Sequence, residues 1–449
     1  MSTEDAALAL RRFGLGPRPG DIDNIAGDPR GALIADLLAP GAGRLDDADL
    51  PPSAAAFAAV RRDQAARREA RRSVDAAGMR QPQDTDEAAS ATPPAARSIY
   101  RRELAARTAR QLAAPVGLVE RLVAFWSNHF AVQADKDEAI RGLAGAFERE
   151  AIRPHVLGRF EDMLVAATRH PAMLLSLDNV DSVGPDSPAG RRREAGLNEN
   201  HAREILELHT VGVDGGYDQQ DVTEFARMLT GWSFVRGLDR PDTGTFVFQP
   251  GRHEPGDRQL MGVVYRDEGR DDPPAGERQA RSALAFLATH PATAALVDEL
   301  AAVFEATGGD LLAVTTALVR SDAAFGPGRK FATPQQFLVA AMRACGVDLD
   351  PQRQLALLRD LGEVPWAPTS PQGFHDDAAN WLSPEGMTTR LDIADRLAQQ
   401  AALATTPVRL ADALLGPQLS AETRQALDRA ESGRQAVALL LMSPEFQWR

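Results

Sequence analysis

The sequence has few cysteines and no long apolar runs, and each shortage excludes a class of protein. Cys345 is the sole cysteine among 449 residues, so this chain alone forms no intrachain disulfide, cysteine-rich zinc site or iron–sulfur cluster. No apolar run approaches the ~18 residues that a membrane-spanning helix requires, so we expect no transmembrane segment. Because no basic and apolar leader opens the chain, the sequence as written predicts a cytoplasmic protein.

The motifs of several common enzyme classes are also missing. The sequence contains no His-Glu-x-x-His zinc helix, no Gly-x-Ser-x-Gly elbow, no phosphate loop ending in Gly-Lys-Ser/Thr and no Gly-x-Gly-x-x-Gly fingerprint. It also lacks the paired Glu-x-x-His motifs of helical di-iron sites. These absences argue against the usual proteases, lipases, NTPases and dehydrogenases.

Composition and charge place the chain among soluble globular proteins. Hydrophobic residues make up 44% of the sequence and charged residues 25%, close to the average for globular proteins. The formal net charge of -13 argues against binding to a phosphate backbone, so we expect no nucleic-acid partner.

Helical patterns dominate the sequence, with glycine and proline between the segments. Apolar residues recur at spacings of three and four, which predicts an all-α fold. Residues 245–249 and 259–265 alternate in strand fashion around a turn, which predicts one small β-hairpin insertion. We expect a single helical domain over residues 1–449. Its flexible loops are predicted near residues 78–97, 183–196 and 362–384.

The helix predicted over residues 198–210 carries a polar stripe. At ~100° per residue, one face collects the five polar side chains Glu199, Asn200, Arg203, Glu204 and Glu207. The stripe has a formal charge of -2, which suits a divalent cation or two carboxyl groups with different pKa values. The alternative is an exposed helix face with i,i+4 ion pairs around Arg203.

Two further segments contain histidines in distinctive surroundings. Residues 125–130 surround Asn128 and His129 with three aromatic side chains, so both polar groups need partners, either in the backbone or in the polar stripe. In the second case His129 is a metal ligand or an acid/base group. His253 and Glu254 fall at the predicted hairpin turn, which presents either a reactive side chain or an ordinary solvent-facing histidine.

Several segments together resemble one bacterial family. Residues 198–204 and 207–217, followed by Thr-Gly-Trp at 230–232, closely resemble the signature of the "domain of unknown function 1800" (DUF 1800) family. Other segments that resemble this family are residues 10–17, 125–130, 253–262, 290–294, 381–384 and 443–446. The resemblance covers essentially the whole chain and implies a fold and a grouping, but no activity.

The resemblance also implies a partner. Relatives often neighbour genes for the "domain of unknown function 1501" (DUF 1501) family, which resembles secreted sulfatases and phosphatases with export signals. We therefore expect a DUF 1501-type protein as a partner, and export together with that partner is the alternative to a cytoplasmic location.

These residues lead to a functional hypothesis of a metal-dependent enzyme with a polar site on a helical scaffold. The expected catalytic residues are His129, Arg203, Glu204 and His253. The expected ligands of a divalent metal ion are Glu204, Glu207, His129 and His253. The expected substrate-binding residues are Asn128, Asn200, Trp126 and Trp232. Zinc, manganese, iron and calcium all remain open as the metal. The alternative function is a non-catalytic binding or assembly protein, in which the same polar residues form a hydrogen-bonded network.

Overall fold

The structure, a computed structural model, describes residues 3–76, 93–192, 196–238, 240–267, 274–290, 298–326, 328–401 and 405–449. The protein is 62% helical, with 4% of residues in two small antiparallel strand pairs. The all-α class with a small β insertion is therefore confirmed. The loop predicted near residues 78–97 lies largely outside the described residues, and the single domain over residues 1–449 stays a prediction.

Helices of the first part of the chain begin and end at local sequence signals. They are α1 (Thr3–Leu8), α2 (Asp21–Ile25), α3 (Pro29–Leu38), α4 (Ser53–Ala76), α5 (Ala95–Ala113), α6 (Leu118–His129), α7 (Glu138–Phe147), α8 (Phe160–Arg169) and α9 (Pro171–Ser176). The side chain of Asp28 caps α3 by accepting a hydrogen bond from the Gly31 N–H. Pro115 lies between α5 and α6, in keeping with the rule that proline disrupts the interior of a helix.

Some of these helices continue into wider π-helical turns within the described ranges. Such turns cover Ala9–Phe13, Glu148–Ile152 and Ile205–His209. The first contains Arg12, the second begins with Glu148 and the third follows the short helix α10 (Asn200–Glu204). π-helical turns appear mostly as single turns within α-helices and are frequent at functional sites.

An αα-hairpin joins α10 to α11 (Gln219–Leu229). Asp218 and Asp221 form a capping box at the start of α11, in which each side chain accepts a hydrogen bond from the other residue's N–H. Their spacing of three residues makes this capping box a local signal in the sequence. The hairpin places the polar stripe beside α11.

The strands pair differently from the sequence prediction. β1 (Trp232–Phe234) pairs with β2 (Phe246–Phe248), and β3 (Arg258–Leu260) pairs with β4 (Val263–Tyr265). The predicted hairpin between residues 245–249 and 259–265 is therefore wrong. Met261 and Gly262 both have positive φ, the geometry of a two-residue hairpin turn, so residues 258–265 fold back on themselves.

The rest of the chain is again helical. Its helices are α12 (Ala275–Thr289), α13 (Asp298–Thr307), α14 (Leu311–Arg320), α15 (Pro334–Cys345), α16 (Pro351–Asp360), α17 (Pro384–Gln400), α18 (Pro407–Leu415), α19 (Ala421–Asp428), α20 (Gly433–Met442) and α21 (Pro444–Gln447). Pro334 begins α15, and Thr333 and Gln336 form its capping box. Over the described ranges, no helix has both the length and the apolar character needed to cross a bilayer.

Two hydrophobic cores organise these helices. The larger core takes residues between Ala6 and Val319 together with Trp366, and the smaller core is built from α15 to α20. Arg343 on α15 is only 2% exposed and donates to the carbonyl oxygens of Gly16 and Ala114. A buried guanidinium therefore ties the smaller core to the elements of the larger one.

Candidate functional site

In the polar stripe, the single arginine pairs with two of the three carboxylates. Arg203 pairs with Glu199 at 3.2 Å and with Glu207 at 3.5 Å. Glu199 also accepts hydrogen bonds from Thr223 and Gln219 on α11, and the bond from Thr223 lowers the pKa of Glu199. These are the i,i+4 pairs of the structural alternative, each with a typical contribution of ~0.2–1 kcal/mol.

Glu204 and Asn200 occupy the more buried part of the polar stripe. Burial and the neighbouring Glu207 raise the pKa of Glu204. The side-chain amide of Asn200 donates to the carbonyl oxygen of Leu177 at 3.3 Å. Asn200 therefore holds a backbone segment in place, and Glu204 lies beside a second carboxylate of the same helix.

Asn128 and His129 find their partners in the backbone. The amide of Asn128 donates to the carbonyl of Phe374 at 2.9 Å, and its Oδ1 accepts from the Phe374 N–H at 2.7 Å. The Nε2–H of His129 donates to the carbonyl of His209 at 3.1 Å, and burial lowers the pKa of His129 to about 4. The backbone alternative is therefore confirmed for both residues.

His253 is buried, contrary to the exposed turn position expected from the sequence. It is 6% exposed and follows the short 3-10 turn at Pro250–Arg252. Its Nδ1–H donates to the carbonyl of Thr230 at 2.9 Å, and its Nε2 lies against Gly276 on α12. The pairing of β2 with β1 draws the turn against Thr230, so the histidine points inward.

Trp126 and Trp232 belong to the larger hydrophobic core. Trp126 contacts the rings of Phe130 and Phe160. Trp232 on β1 is 1% exposed and meets the ring of Phe246 edge to face. Their aromatic surface is therefore used in packing.

The four expected metal ligands are not brought together. Of His129, His253, Glu204 and Glu207, the two histidines donate to backbone carbonyls and the two glutamates lie on α10 and its π-helical continuation. Among the residues that the structure describes, no group of three or more His, Cys, Asp or Glu side chains could hold a metal ion. The residues present do not fit the divalent-metal centre expected from the sequence.

A cavity of about 650 Å³ opens between α6, the start of α15 and the loop that follows α16. Its walls are largely apolar and include Leu122, Phe125 and Trp366. The basic side chains that line it are Arg12, Arg107, Arg121, Arg329, Lys330 and Arg449. Two acidic side chains, Glu363 and Asp376, also line the cavity. This arginine cavity therefore concentrates positive charge in a chain whose net charge is -13.

Arg12 and Arg121 keep their positive charge in the arginine cavity. The guanidinium of Arg12 donates to the carbonyl oxygens of Ala324, at 2.6 Å, and Gly328. The Nε of Arg121 donates to the carbonyl of Gly14 at 2.9 Å. A carbonyl oxygen positions a guanidinium but carries no full negative charge, so both side chains remain able to attract an anion.

Glu363 is a buried carboxyl group in the wall of the arginine cavity. It is 7% exposed and accepts a hydrogen bond from the Gln335 N–H at 2.7 Å, in the first turn of α15. Burial raises the pKa of Glu363 to about 7, although the charges of Arg107 and Arg390 oppose this shift. A carboxyl group that titrates near neutral pH in a cavity is a candidate acid/base group.

Glu148 lies behind the arginine cavity and holds part of its wall. It is 1% exposed and accepts hydrogen bonds from the Ser127 hydroxyl at 3.0 Å and the Trp366 indole at 2.9 Å. It also pairs with Arg107 at 3.2 Å and with Arg153 at 3.0 Å. Because Ser127, Trp366 and Arg107 all line the cavity, one buried carboxylate positions three of its side chains.

Trp366 has an unusual backbone conformation in this wall. Its φ is 56°, in the left-handed region that bulky residues rarely adopt. The Tyr100 hydroxyl donates to the carbonyl of Pro365, and the Ala134 N–H donates to the carbonyl of Trp366 at 2.9 Å. Strained residues held in this way cluster at ligand sites, which supports a binding role for the cavity.

The sequence prediction missed most of the arginine cavity. Among the expected site residues, Asn128 alone lines it. Glu363 lies in the predicted loop 362–384, and Arg107 lies on α5 outside any motif. Arg12 falls within residues 10–17, and the family resemblance of this segment was the sequence signal that pointed to Arg12.

Comparison with known proteins gives a family but no characterised relative. A family model described as "Protein of unknown function (DUF1800)" matches residues 8–448. No curated protein and no solved structure matches the chain. Because the model spans nearly all 449 residues, the chain belongs to the DUF1800 family.

Proposed function

We propose that this protein binds a small organic anion in the arginine cavity. The observation that carries the proposal is the pair of guanidinium groups, Arg12 and Arg121, that meet backbone carbonyls at the cavity wall. The volume of about 650 Å³ falls in the range of ~300–1,000 Å³ that is typical of small-molecule sites. Largely apolar walls with a few charged groups are also typical of such sites.

The arrangement of the walls defines the class of ligand. An apolar body fits against Leu122, Phe125 and Phe374, and an anionic group fits beside Arg12 and Arg121. Guanidinium groups recognise carboxylate, sulfonate or phosphate oxygens through two parallel hydrogen bonds. The proposed ligand therefore combines a hydrophobic portion with one such group.

The proposal differs from the two functions expected from the sequence, a metal-dependent reaction and assembly with a partner. The proposed function does not include a metal-dependent reaction, because the described residues do not form a metal-binding group. The assembly with a DUF 1501-type protein stays a prediction from the resemblance. The proposed binding of an anion in the cavity requires neither a metal ion nor a partner protein.

Calorimetric titration with two probes of similar shape tests the proposal. Benzenesulfonate keeps its negative charge at every pH used, and methyl phenyl sulfone is its neutral counterpart. We expect the wild type to bind benzenesulfonate and to bind the sulfone at least about tenfold more weakly, because charge-assisted hydrogen bonds contribute ~1.5–3 kcal/mol.

Two cavity variants and one distant variant locate the binding site. Arg12→Gln and Arg329→Gln should each weaken benzenesulfonate binding, by about tenfold for Arg12→Gln. Arg329 is exposed, so its replacement leaves folding intact. The matched control is Arg62→Gln, an exposed arginine on α4 outside the cavity, which should bind as the wild type does. Equal affinity for both probes, or no change in both cavity variants, would overturn the proposal.

A further inference from the structure

The carboxyl group of Glu363 shares the arginine cavity with the arginines but does not pair with them. Both Glu363 and Arg12 line the cavity, and Glu363 has no ion pair within the described ranges of the chain. Its hydrogen bond comes from a neutral donor, the Gln335 N–H. A buried carboxylate without a countercharge is easily protonated.

On α5, the charged side chain of Arg107 interacts with residues other than Glu363. Arg107 pairs with Glu148 at 3.2 Å and donates to the side chain of Gln335 at 3.1 Å. From the start of α15, Thr333 and Gln335 offer hydrogen bonds to Glu363 but no charge. Neither element therefore cancels the negative charge of Glu363.

The other charged group that acts on Glu363 comes from α17. Arg390 donates to the side chain of Gln447 at 2.6 Å and to the carbonyl of Ala332 at 2.7 Å. Its charge favours the ionised form of Glu363 from a distance. Besides the arginines, the remaining titratable side chains that line the cavity, Lys330, His375 and Asp376, are exposed, and Lys330 pairs with Asp376.

We infer that the arginine cavity takes up one proton together with its organic anion, and that the carboxylate of Glu363 accepts this proton. The inference rests on the function proposed above. An anion in the cavity adds a second negative charge to the space that Glu363 also lines, and like charges in a common cavity repel each other. Transfer of a proton from the buffer to Glu363 forms one O–H bond and leaves a neutral carboxylic acid beside the bound anion.

Physical conditions favour this proton uptake near neutral pH. Burial already raises the pKa of Glu363 to about 7. Before an anion binds, this carboxyl group is therefore partly ionised at neutral pH and mostly ionised above pH 8. Binding of an anion raises this pKa further. Anion affinity should therefore fall as pH rises above about 7, toward tenfold for each pH unit, because one proton binds with each ligand.

Titration of the wild type with benzenesulfonate between pH 7 and pH 9 tests the inference. In two buffers of different ionisation enthalpy, the difference in measured heat gives the number of protons taken up per ligand. We expect this uptake to be greatest between the pKa of Glu363 in the free protein and its higher pKa in the complex. Glu363→Gln keeps the hydrogen-bond acceptor, and it should abolish the uptake and make the affinity independent of pH.

Two control variants separate Glu363 from the other titratable groups of the cavity. Asp376→Asn and His375→Gln change the local charge, but both should keep the proton uptake of the wild type. Uptake that persists in Glu363→Gln, or that disappears in His375→Gln instead, would overturn the inference.

An infrared measurement makes the test independent of any substitution. Addition of benzenesulfonate to the wild type should produce the C=O stretching band of a newly protonated carboxyl group, and absence of this band would contradict the inference. Binding of benzenesulfonate without proton uptake overturns only the inference, whereas absence of binding at every pH overturns the proposed function.

Discussion

The polar stripe and the arginine cavity are both rich in charged side chains, but they differ in how these charges are matched. In the stripe, Arg203 lies between Glu199 and Glu207 and pairs with both. In the cavity, Arg12 meets backbone carbonyls and Glu363 accepts from a backbone N–H. Charges that pair with one another have less free energy left for a ligand, whereas charges without an ionic partner gain more from binding one. Charge balance after folding is therefore a better guide to a site than charge density along a helix.

Depth of burial separates the two regions further. The stripe residue Arg203 is partly exposed, so water screens its ion pairs and each contributes little. Glu148, behind the cavity, is 1% exposed, so any charge left unpaired there is costly. The same substitution should therefore have very different effects in the two places.

The largest expected effect on stability is at Glu148, the buried carboxylate behind the arginine cavity. Glu148→Gln removes the negative charge that Arg107 and Arg153 share, and we expect the free energy of unfolding to fall by about 3–5 kcal/mol. Urea unfolding at neutral pH measures this loss. The matched control Glu199→Gln in the stripe should cost less than about 1 kcal/mol. Equal losses in the two variants would remove the distinction between the regions.

A smaller effect is expected on the reverse face of the stripe helix, at His201. This residue is 1% exposed, and both ring nitrogens lack hydrogen-bond partners in the described structure. Burial lowers the pKa of His201 to about 3, so below pH ~6.5 the unfolded chain binds the proton first. The free energy of unfolding therefore decreases as pH falls from ~6.5 toward 3, by roughly 2–3 kcal/mol at pH 4.5 from this group.

Replacement of His201 by leucine tests that pH dependence. His201→Leu should lose less stability than the wild type between pH 7 and pH 4.5, and at pH 7 it should be as stable or more stable, because an unpartnered polar group is removed. Urea unfolding at the two pH values provides the measurement. The exposed His375 supplies the control, since His375→Gln should follow the wild type; an identical acid sensitivity of His201→Leu would contradict the burial argument.

The smallest effect is expected for Glu204 in the stripe. Because no group of three or more metal-binding side chains surrounds Glu204 among the described residues, Glu204→Gln should leave the metal content of the purified protein equal to that of the wild type. Elemental analysis of both proteins measures this directly. A metal present in the wild type and lost in Glu204→Gln would revive the metal-dependent hypothesis and place the functional site on α10.

Local features of the fold were predictable, but contacts between distant segments were not. The boundaries of α15 and the capping box of Asp218 and Asp221 follow from signals a few residues apart. The partner of β2 was mistaken, because β1 and β3 lie at similar distances along the chain on either side of it and local patterns do not decide between them. Asn128 and His129 correctly indicated buried polar groups that need partners, yet only the folded chain shows that backbone carbonyls supply them.

By itself the sequence determined the helical class, the positions of the main helix starts and the membership of a family, because periodicity, capping residues and motifs act over short stretches. Only the tertiary structure decided which charges remain unmatched. Arg12, Arg121 and Glu363 are separated by up to hundreds of residues, and their electrostatic balance depends on distances of a few ångströms and on burial. Those quantities exist only once the helices have packed together.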